Sequence, residues 1–167
     1  MTRTVLALGS NLGDRLGNLQ GGLDSLLAGP GLALVALSPV YETVPVGGPP
    51  QPDYLNAVLI ADTAEPPPAV LRRGQQAEAA LHRVRAEVWG PRTLDVDVIV
   101  YGDVVSADPK LTLPHPRARE RAFVLAPWLD ADPDAEIPGQ GRVASLLAAV
   151  DRSGVRRRDD LTLRSPA

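Results

Sequence analysis

The segment from Leu94 to Tyr101, Leu-Asp-Val-Asp-Val-Ile-Val-Tyr, constrains the fold of this chain more than any other. Apolar and acidic residues alternate in it with a period of two, the signature of a strand with one face on a core. Leu94, Val96, Val98 and Val100 are expected on the core face, with Asp95, Asp97 and Ile99 on the other. A rise of about 3.3 Å per residue sets the two carboxylates about 6.5–7 Å apart at Cα, close enough to lean onto one or two hard cations. Mg²⁺ is commonly held in this way, by one or two carboxylates together with substrate phosphates and water. Arg92, just upstream of Asp95, adds a guanidinium able to grip a phosphate bidentately. A bare Asp-x-Asp is more often a solvated strand face with two surface aspartates. The preceding Trp89-Gly90-Pro91-Arg92 tips this one toward chemistry.

Length then limits the architecture. With 167 residues, 44% of them hydrophobic, the chain can bury one real core but not two comfortable ones. The absence of cysteine excludes disulfides and thiolate metal sites and fits a reducing compartment. No stretch is long and apolar enough for a signal peptide or a membrane span, so a soluble, cytoplasmic protein without a membrane partner is expected. A net charge of −3 argues against nucleic-acid binding by the molecule as a whole. Nine of the 17 basic residues nevertheless lie between Arg72 and Arg121, flanking the acidic strand. That pattern suits a polyphosphate bound through metal, although chance clustering would look the same.

Val5–Leu8 reads as a buried strand that turns at Gly9-Ser10-Asn11-Leu12-Gly13-Asp14 into a helix striped by Leu16, Leu19, Leu23, Leu26 and Leu27. The turn lacks the Gly-Lys-Ser/Thr ending of a phosphate loop, so it reads as structural, with Asp14 as a helix N-cap. Leu32–Val40 and Leu55–Ala61 read as further strands, separated by a stiff loop, Thr43–Asp53, with four prolines and two glycines. Pro66-Pro67-Pro68 opens a second helix with Val70, Ala77, Leu81 and Val84 inward. Gly74 interrupts it, at about 1 kcal/mol relative to Ala. After the acidic strand, Val104-Val105 and Leu111–Leu113 are candidates for a small hairpin, and Arg121–Leu129 and Val143–Val150 for helices. The order strand, helix, strand, strand, helix, strand predicts an α+β, ferredoxin-like split βαβ core, plus extra C-terminal elements. Its antiparallel sheet would carry both helices on one face and leave the other free for a site. One domain over residues 1–150 is expected, followed by a polar, flexible tail over 151–167.

Five motifs occur in order: Gly9–Asp14, Tyr41–Pro45, Pro52–Asn56, Trp89–Asp97 and Pro114–Arg121. Together they closely resemble the 6-hydroxymethyl-7,8-dihydropterin pyrophosphokinases of folate biosynthesis, over roughly residues 4–150. The resemblance implies transfer of the pyrophosphoryl group of ATP to the hydroxymethyl group of the pterin, with release of AMP. It implies that two Mg²⁺ ions are held by Asp95 and Asp97, and that Arg92 and Arg83 act at the reacting phosphates. It implies ATP contacts from Gln75, Glu78, Arg85, Val98, Lys110, Leu111, Thr112, His115 and Arg121. On the pterin side it implies Thr43, Pro45, Val46 and Asn56, with Tyr54 and Phe123 sandwiching the heterocycle and Trp89 as a lid. Arg83 and Arg85 would belong to a loop that closes over ATP and keeps water out. A monomer working on small molecules is expected.

The chain departs from the family pattern in places. Arg85-Ala86-Glu87-Val88 lacks the lysine often found there and is one residue short, Pro116 replaces an aromatic, and Lys110 stands where some relatives have arginine. Two other readings remain at this level. One is a different Mg²⁺-dependent phosphoryl- or nucleotidyltransferase. The other is an RNA-binding sheet, which 4% aromatic residues and a carboxylate-bearing strand disfavour.

Overall fold

Strand β4 (Tyr54–Thr63) is the spine of the sheet, and its residues from Leu55 to Ala61 are buried without a break. A strand of that kind needs cover on both faces. In the computed structural model, which describes residues 1–45, 49–81 and 93–166, it has both. On one edge β4 pairs antiparallel with β1 (Thr2–Ser10), and β1 with β5 (Asp95–Tyr101). On the other edge, β2 (Leu32–Leu37) runs along Leu59–Thr63 and β3 (Tyr41–Thr43) along Tyr54–Asn56. The strand expected over Leu32–Val40 is thus divided, because Pro39 has no N–H to give the ladder. Ser38 bridges the gap: its N–H donates to the Val58 carbonyl at 2.9 Å, and its Oγ accepts the Val58 N–H at 2.8 Å.

Helices α1 (Arg15–Leu26) and α2 (Pro67–Leu81) cover one face, in the split βαβ arrangement. The Asp14 carboxylate caps α1 by accepting the Gly17 N–H at 3.0 Å. Leu19, Leu23 and Leu26 then bury completely, each contributing about 1.5–3 kcal/mol. In α2, Val70, Gly74 and Ala77 form the inner stripe. Gly74 is the contact point: a Cβ built there would lie 2.9 Å from Val96 Cγ1, so the missing side chain is what lets α2 close onto β5.

The opposite face is not left free as expected. The α3 segment (Ala122–Ala131) is apolar nearly all round, and α4 (Val143–Ala148) packs beside it. Their Val124, Leu125, Trp128, Val143 and Leu147 form a second core with Val5, Val58 and Ile60. The cover stops short of Gly9, Asn56, Asp95 and Asp97, which line a cleft at that end of the sheet. A small hairpin of β6 (Glu136–Ile137) and β7 (Gly141–Arg142) links the two helices. The hairpin expected at 104–113 reduces to a single bridge, Ser106 to Leu113.

Two further expectations need correction. The alternation of β5 breaks at a bulge: Val5 pairs with Val100 and Leu6 with Val98, leaving Ile99 extra. Val100 therefore joins Ile99 in the core beneath α3, and Tyr101 takes its place on the α1–α2 side. The C-terminal segment is no frayed tail either. Residues Val155–Arg157 form β8, antiparallel to β3, the Arg158 N–H donates to the Val40 carbonyl at 2.8 Å, and Leu163 is buried in the first core. The cause is electrostatic. Glu42 on β3 is only 4% exposed, and a buried carboxylate needs cationic partners. Arg156 and Arg158 from this segment supply them, together with Arg15.

Candidate active site

The cleft has a volume of about 790 Å³. Its floor is three strands in register, since Gly9 of β1 lies opposite Asn56 of β4 on one side and Asp95 of β5 on the other. Asp95 and Asp97 face the cleft because the bulge that reverses the pattern of β5 comes after them. The Asp97 side chain is 45% exposed and so open to a ligand. Gly9 leaves the floor low: a Cβ there would lie 3.3 Å from Asn56 Nδ2 and 3.5 Å from Tyr54 Cδ1.

The amide of Asn56 is held in one orientation. Thr43 Oγ1 donates to Asn56 Oδ1 at 2.7 Å with both residues buried, and this leaves Nδ2 as the donor on the Gly9 side. Tyr54 and Pro45 line the same end of the cleft. Phe123, at the start of α3, also lines the cleft, and the Arg121 guanidinium lies 5.4 Å from its ring centroid.

His115 stands beside the acidic strand. Its N–H donates to the Ile99 carbonyl at 2.8 Å, and its Nδ1 accepts the Arg117 N–H at 3.2 Å. The ring proton is thereby assigned to Nε2, which lies 4.0 Å from Asp97 Oδ1. Burial pushes the imidazole pKa down; the Asp97 charge opposes this, and Arg121 and Arg117 add to it, for a net lowering. His115 is therefore neutral at pH 7 and can donate a hydrogen bond without adding charge.

The structure thus brings Thr43, Pro45, Tyr54 and Asn56 to one cleft with Asp95, Asp97, Arg121 and Phe123. Other expected residues lie elsewhere. Glu78 turns its carboxylate to the acidic strand, where Oε2 accepts the Val96 N–H at 3.0 Å. Gln75 is exposed on α2, and the Val98 side chain is buried in the α1–α2 core. Lys110, Leu111 and Thr112 form a turn tied to Asp108, through the Lys110 N–H, the Leu111 N–H and Thr112 Oγ1. Val46, Arg83, Arg85, Trp89 and Arg92 lie outside the described residues.

Sequence reasoning missed Gly9 as part of the cleft, having read it only as the start of a turn. The signal was a glycine at the end of an apolar strand, which marks a close approach by something else. It also missed Arg117, Glu120 and the Asp151–Gly154 turn, all of which line the cleft. The turn arrives there only because β8 docks on β3, a non-local event. Among the described residues, no group of three or more acidic or histidine side chains forms a ready-made cation cage. The donor set still suits a hard cation, because two carboxylates on one strand face an open cleft that can admit phosphate oxygens.

In strand order and helix placement this is a ferredoxin-like α+β enzyme fold with a carboxylate-lined cleft at one end of its sheet. Residues 5–133 match the family 7,8-dihydro-6-hydroxymethylpterin-pyrophosphokinase (HPPK). A 2-amino-4-hydroxy-6-hydroxymethyldihydropteridine pyrophosphokinase of Mycobacterium tuberculosis is 47% identical over 173 residues, spanning 93% of this chain and 89% of the relative. Proteins of the same name are 45% identical in Methylorubrum extorquens (94% and 99% covered) and 39% identical in Pseudomonas aeruginosa (93% and 96%). A solved Plasmodium falciparum HPPK-DHPS chain superposes with a TM-score of 0.73 at 15% identity, a likeness of fold alone. It covers 93% of this chain and 48% of that one, so the present chain spans about half of that longer protein. The chain belongs to the HPPK family and is an ATP-dependent pyrophosphokinase.

Proposed function

We propose that the protein transfers the pyrophosphoryl group of ATP to the hydroxymethyl group of 6-hydroxymethyl-7,8-dihydropterin, releasing AMP, as a step of folate synthesis. The reading rests on family membership and on one feature of the cleft. An oriented amide, Asn56 fixed by Thr43, shares it with the Asp95–Asp97 pair. The first is complementary to the amide-like edge of a pterin, the second to the metal-bound phosphates of a nucleotide. Tyr54 and Phe123 would hold the flat ring between them.

In this reading Asp95 and Asp97 hold two Mg²⁺ ions. When bound, the metal neutralises phosphate charge and makes the β-phosphorus more electrophilic. The acceptor oxygen forms a bond to the β-phosphorus as the bond from that phosphorus to the α–β bridging oxygen breaks. AMP leaves, and the hydroxyl proton passes to water. No side-chain nucleophile is needed, so the residues of the chain position and neutralise. Arg121, which lines the cleft, would meet phosphate charge, and His115, whose Nε2 lies 4.0 Å from Asp97 Oδ1, would offer a hydrogen bond there. In this proposal Arg92 and Arg83 would complete the phosphate set, Gln75, Glu78, Arg85, Val98, Lys110, Leu111 and Thr112 the nucleotide set, and Val46 and Trp89 the pterin set.

Among the described residues no helix is long and apolar enough to cross a membrane, and we place the enzyme in the cytoplasm, working as a monomer on small molecules. The test is to incubate the protein with ATP, Mg²⁺ and the pterin and to resolve the nucleotides. Pterin-dependent AMP with a matching pterin diphosphate supports the assignment. ADP, or AMP that does not require the pterin, overturns it in favour of a different acceptor.

A further inference from the structure

Beside the acceptor end of the cleft lies a charged cluster, Arg15, Glu42, Asp53, Arg156 and Arg158, whose members are not among the described residues that line the cleft. Glu42 is 4% exposed. Its Oε2 accepts from Arg15 Nη1 at 2.6 Å, and its Oε1 accepts from Arg158 Nη1 at 2.9 Å and from Arg156. The same Arg15 Nη1 also donates to the Asp53 carbonyl at 2.9 Å. Arg156 lies 3.9 Å from the Asp53 carboxylate. One guanidinium at the start of α1 thus ties together the residue before Thr43 and the residue before Tyr54. Thr43 is the side chain that orients the Asn56 amide, and Val44, next along, donates its N–H to the Gly154 carbonyl of the cleft-lining turn at 3.0 Å.

We infer that Arg15 and Glu42 are positioning residues for the acceptor pocket. Through the backbone at 42–43 and 53–54 they fix the Thr43–Asn56 amide and the Tyr54 ring at the spacing the flat substrate requires. The inference rests on the pterin reading of that pocket. A buried ion pair is weak as a device for stability, because desolvation offsets much of its attraction. Its hydrogen bonds are directional, however, and directional bonds to two adjoining backbones define position. The ion pairs of the cluster run among Arg15, Glu42, Asp53, Arg156 and Arg158, whereas the nucleotide end is built on Asp95, Asp97 and Arg121.

The test is steady-state kinetics of Arg15→Met, with Glu42→Gln as the second variant and Arg15→Lys as the conservative one. Glu65→Gln, which weakens an ion pair with Arg73 away from the cleft, controls for a general loss of stability. We expect the pterin KM to rise roughly tenfold, the worth of about one well-aligned hydrogen bond, while the ATP KM stays within about twofold. Arg15→Lys should recover part of the loss, and Glu65→Gln should leave both constants unchanged. If Arg15→Met fails to fold, Glu42→Gln is read in the same way. Unchanged pterin KM, or equal shifts in both constants, would overturn the positioning role while leaving the reaction intact. A wild-type enzyme that turns over ATP without regard to the pterin would instead overturn the pterin reading, and this inference with it.

Discussion

Gly74→Ala sets two ordinary effects against each other, and the structure decides the sign. Helix propensity favours the change by up to about 1 kcal/mol, since Gly is the poorest helix former after Pro. The new Cβ, however, would lie 2.9 Å from Val96 Cγ1 and 3.4 Å from Val96 Cβ. To reach ordinary contact the α2–β5 interface must open by about half an ångström. Val96 cannot swing aside, because its β-branched side chain is stiff and its N–H is held by Glu78, one turn along the same helix. Overpacking of this kind costs about 1–3 kcal/mol, so a net loss near 1 kcal/mol is expected. For a chain of this size that lowers the melting temperature by about 2–4 °C. Because Val96 lies between Asp95 and Asp97, the displaced strand should also reduce AMP formation several-fold. The assay is thermal unfolding followed by circular dichroism, with Val96→Ala and the double variant completing a cycle. In the Val96→Ala background the clash is gone and Gly74→Ala should become stabilising. A Gly74→Ala single variant that melts above the wild type would refute the close-approach argument.

The other predictions follow from charge. Asp95→Asn and Asp97→Asn should each lower pterin-dependent AMP production by at least about a hundredfold, with melting temperatures unchanged because both side chains face the cleft; full activity in either would remove it from the site. Tyr41 is raised from 10.0 to about 12 by burial, by its hydrogen bond to Asp130 and by the charge of Asp130. A raised folded-state pKa gives stability that is complete below the unfolded value and lost as pH rises through the folded one, so unfolding should sharpen between pH 10 and about 12. Tyr41→Phe should abolish that alkaline step, and denaturant midpoints across the range will show it. Glu42 moves the other way: burial pushes it up, but hydrogen bonds from Arg15 and Arg158 and the charges of Arg15 and Arg156 outweigh that and lower it. Its contribution is present above the ordinary glutamate range and is lost as pH falls through the lowered folded value. Acid unfolding curves should therefore be flatter in Glu42→Gln than in the wild type.

What was legible in the sequence and what was not divides along the reach of the interactions. The alternation of Leu94 to Val98 needs only neighbouring residues and one buried face, so the direction of Asp95 and Asp97 could be read directly. The bulge at Ile99 could not, because Ile99, Val100 and Tyr101 are all buried and an apolar run carries no mark of which side each member takes. Its cause lies in β1, where Val5 and Leu6 pair across the extra residue. The run Arg156–Arg158 reads locally as a solvated tail, and only the burial of Glu42, far away in sequence, turns it into an edge strand. The same holds within the cleft. Tyr54, Asn56 and Phe123 were named through the family resemblance and line the cleft, but the Thr43 bond that orients the amide and the Asp151–Gly154 turn that walls it are tertiary. Since β8 docks on β3 through the backbone ladder and the charges around Glu42, the C-terminal segment and the wall of the acceptor pocket share one set of contacts. The acidic strand, braced by α2 through Gly74 and Glu78, is held separately. Two ends of one cleft are thus braced by different parts of the chain, so substitutions around Glu42 should change acceptor binding while leaving the carboxylates in place.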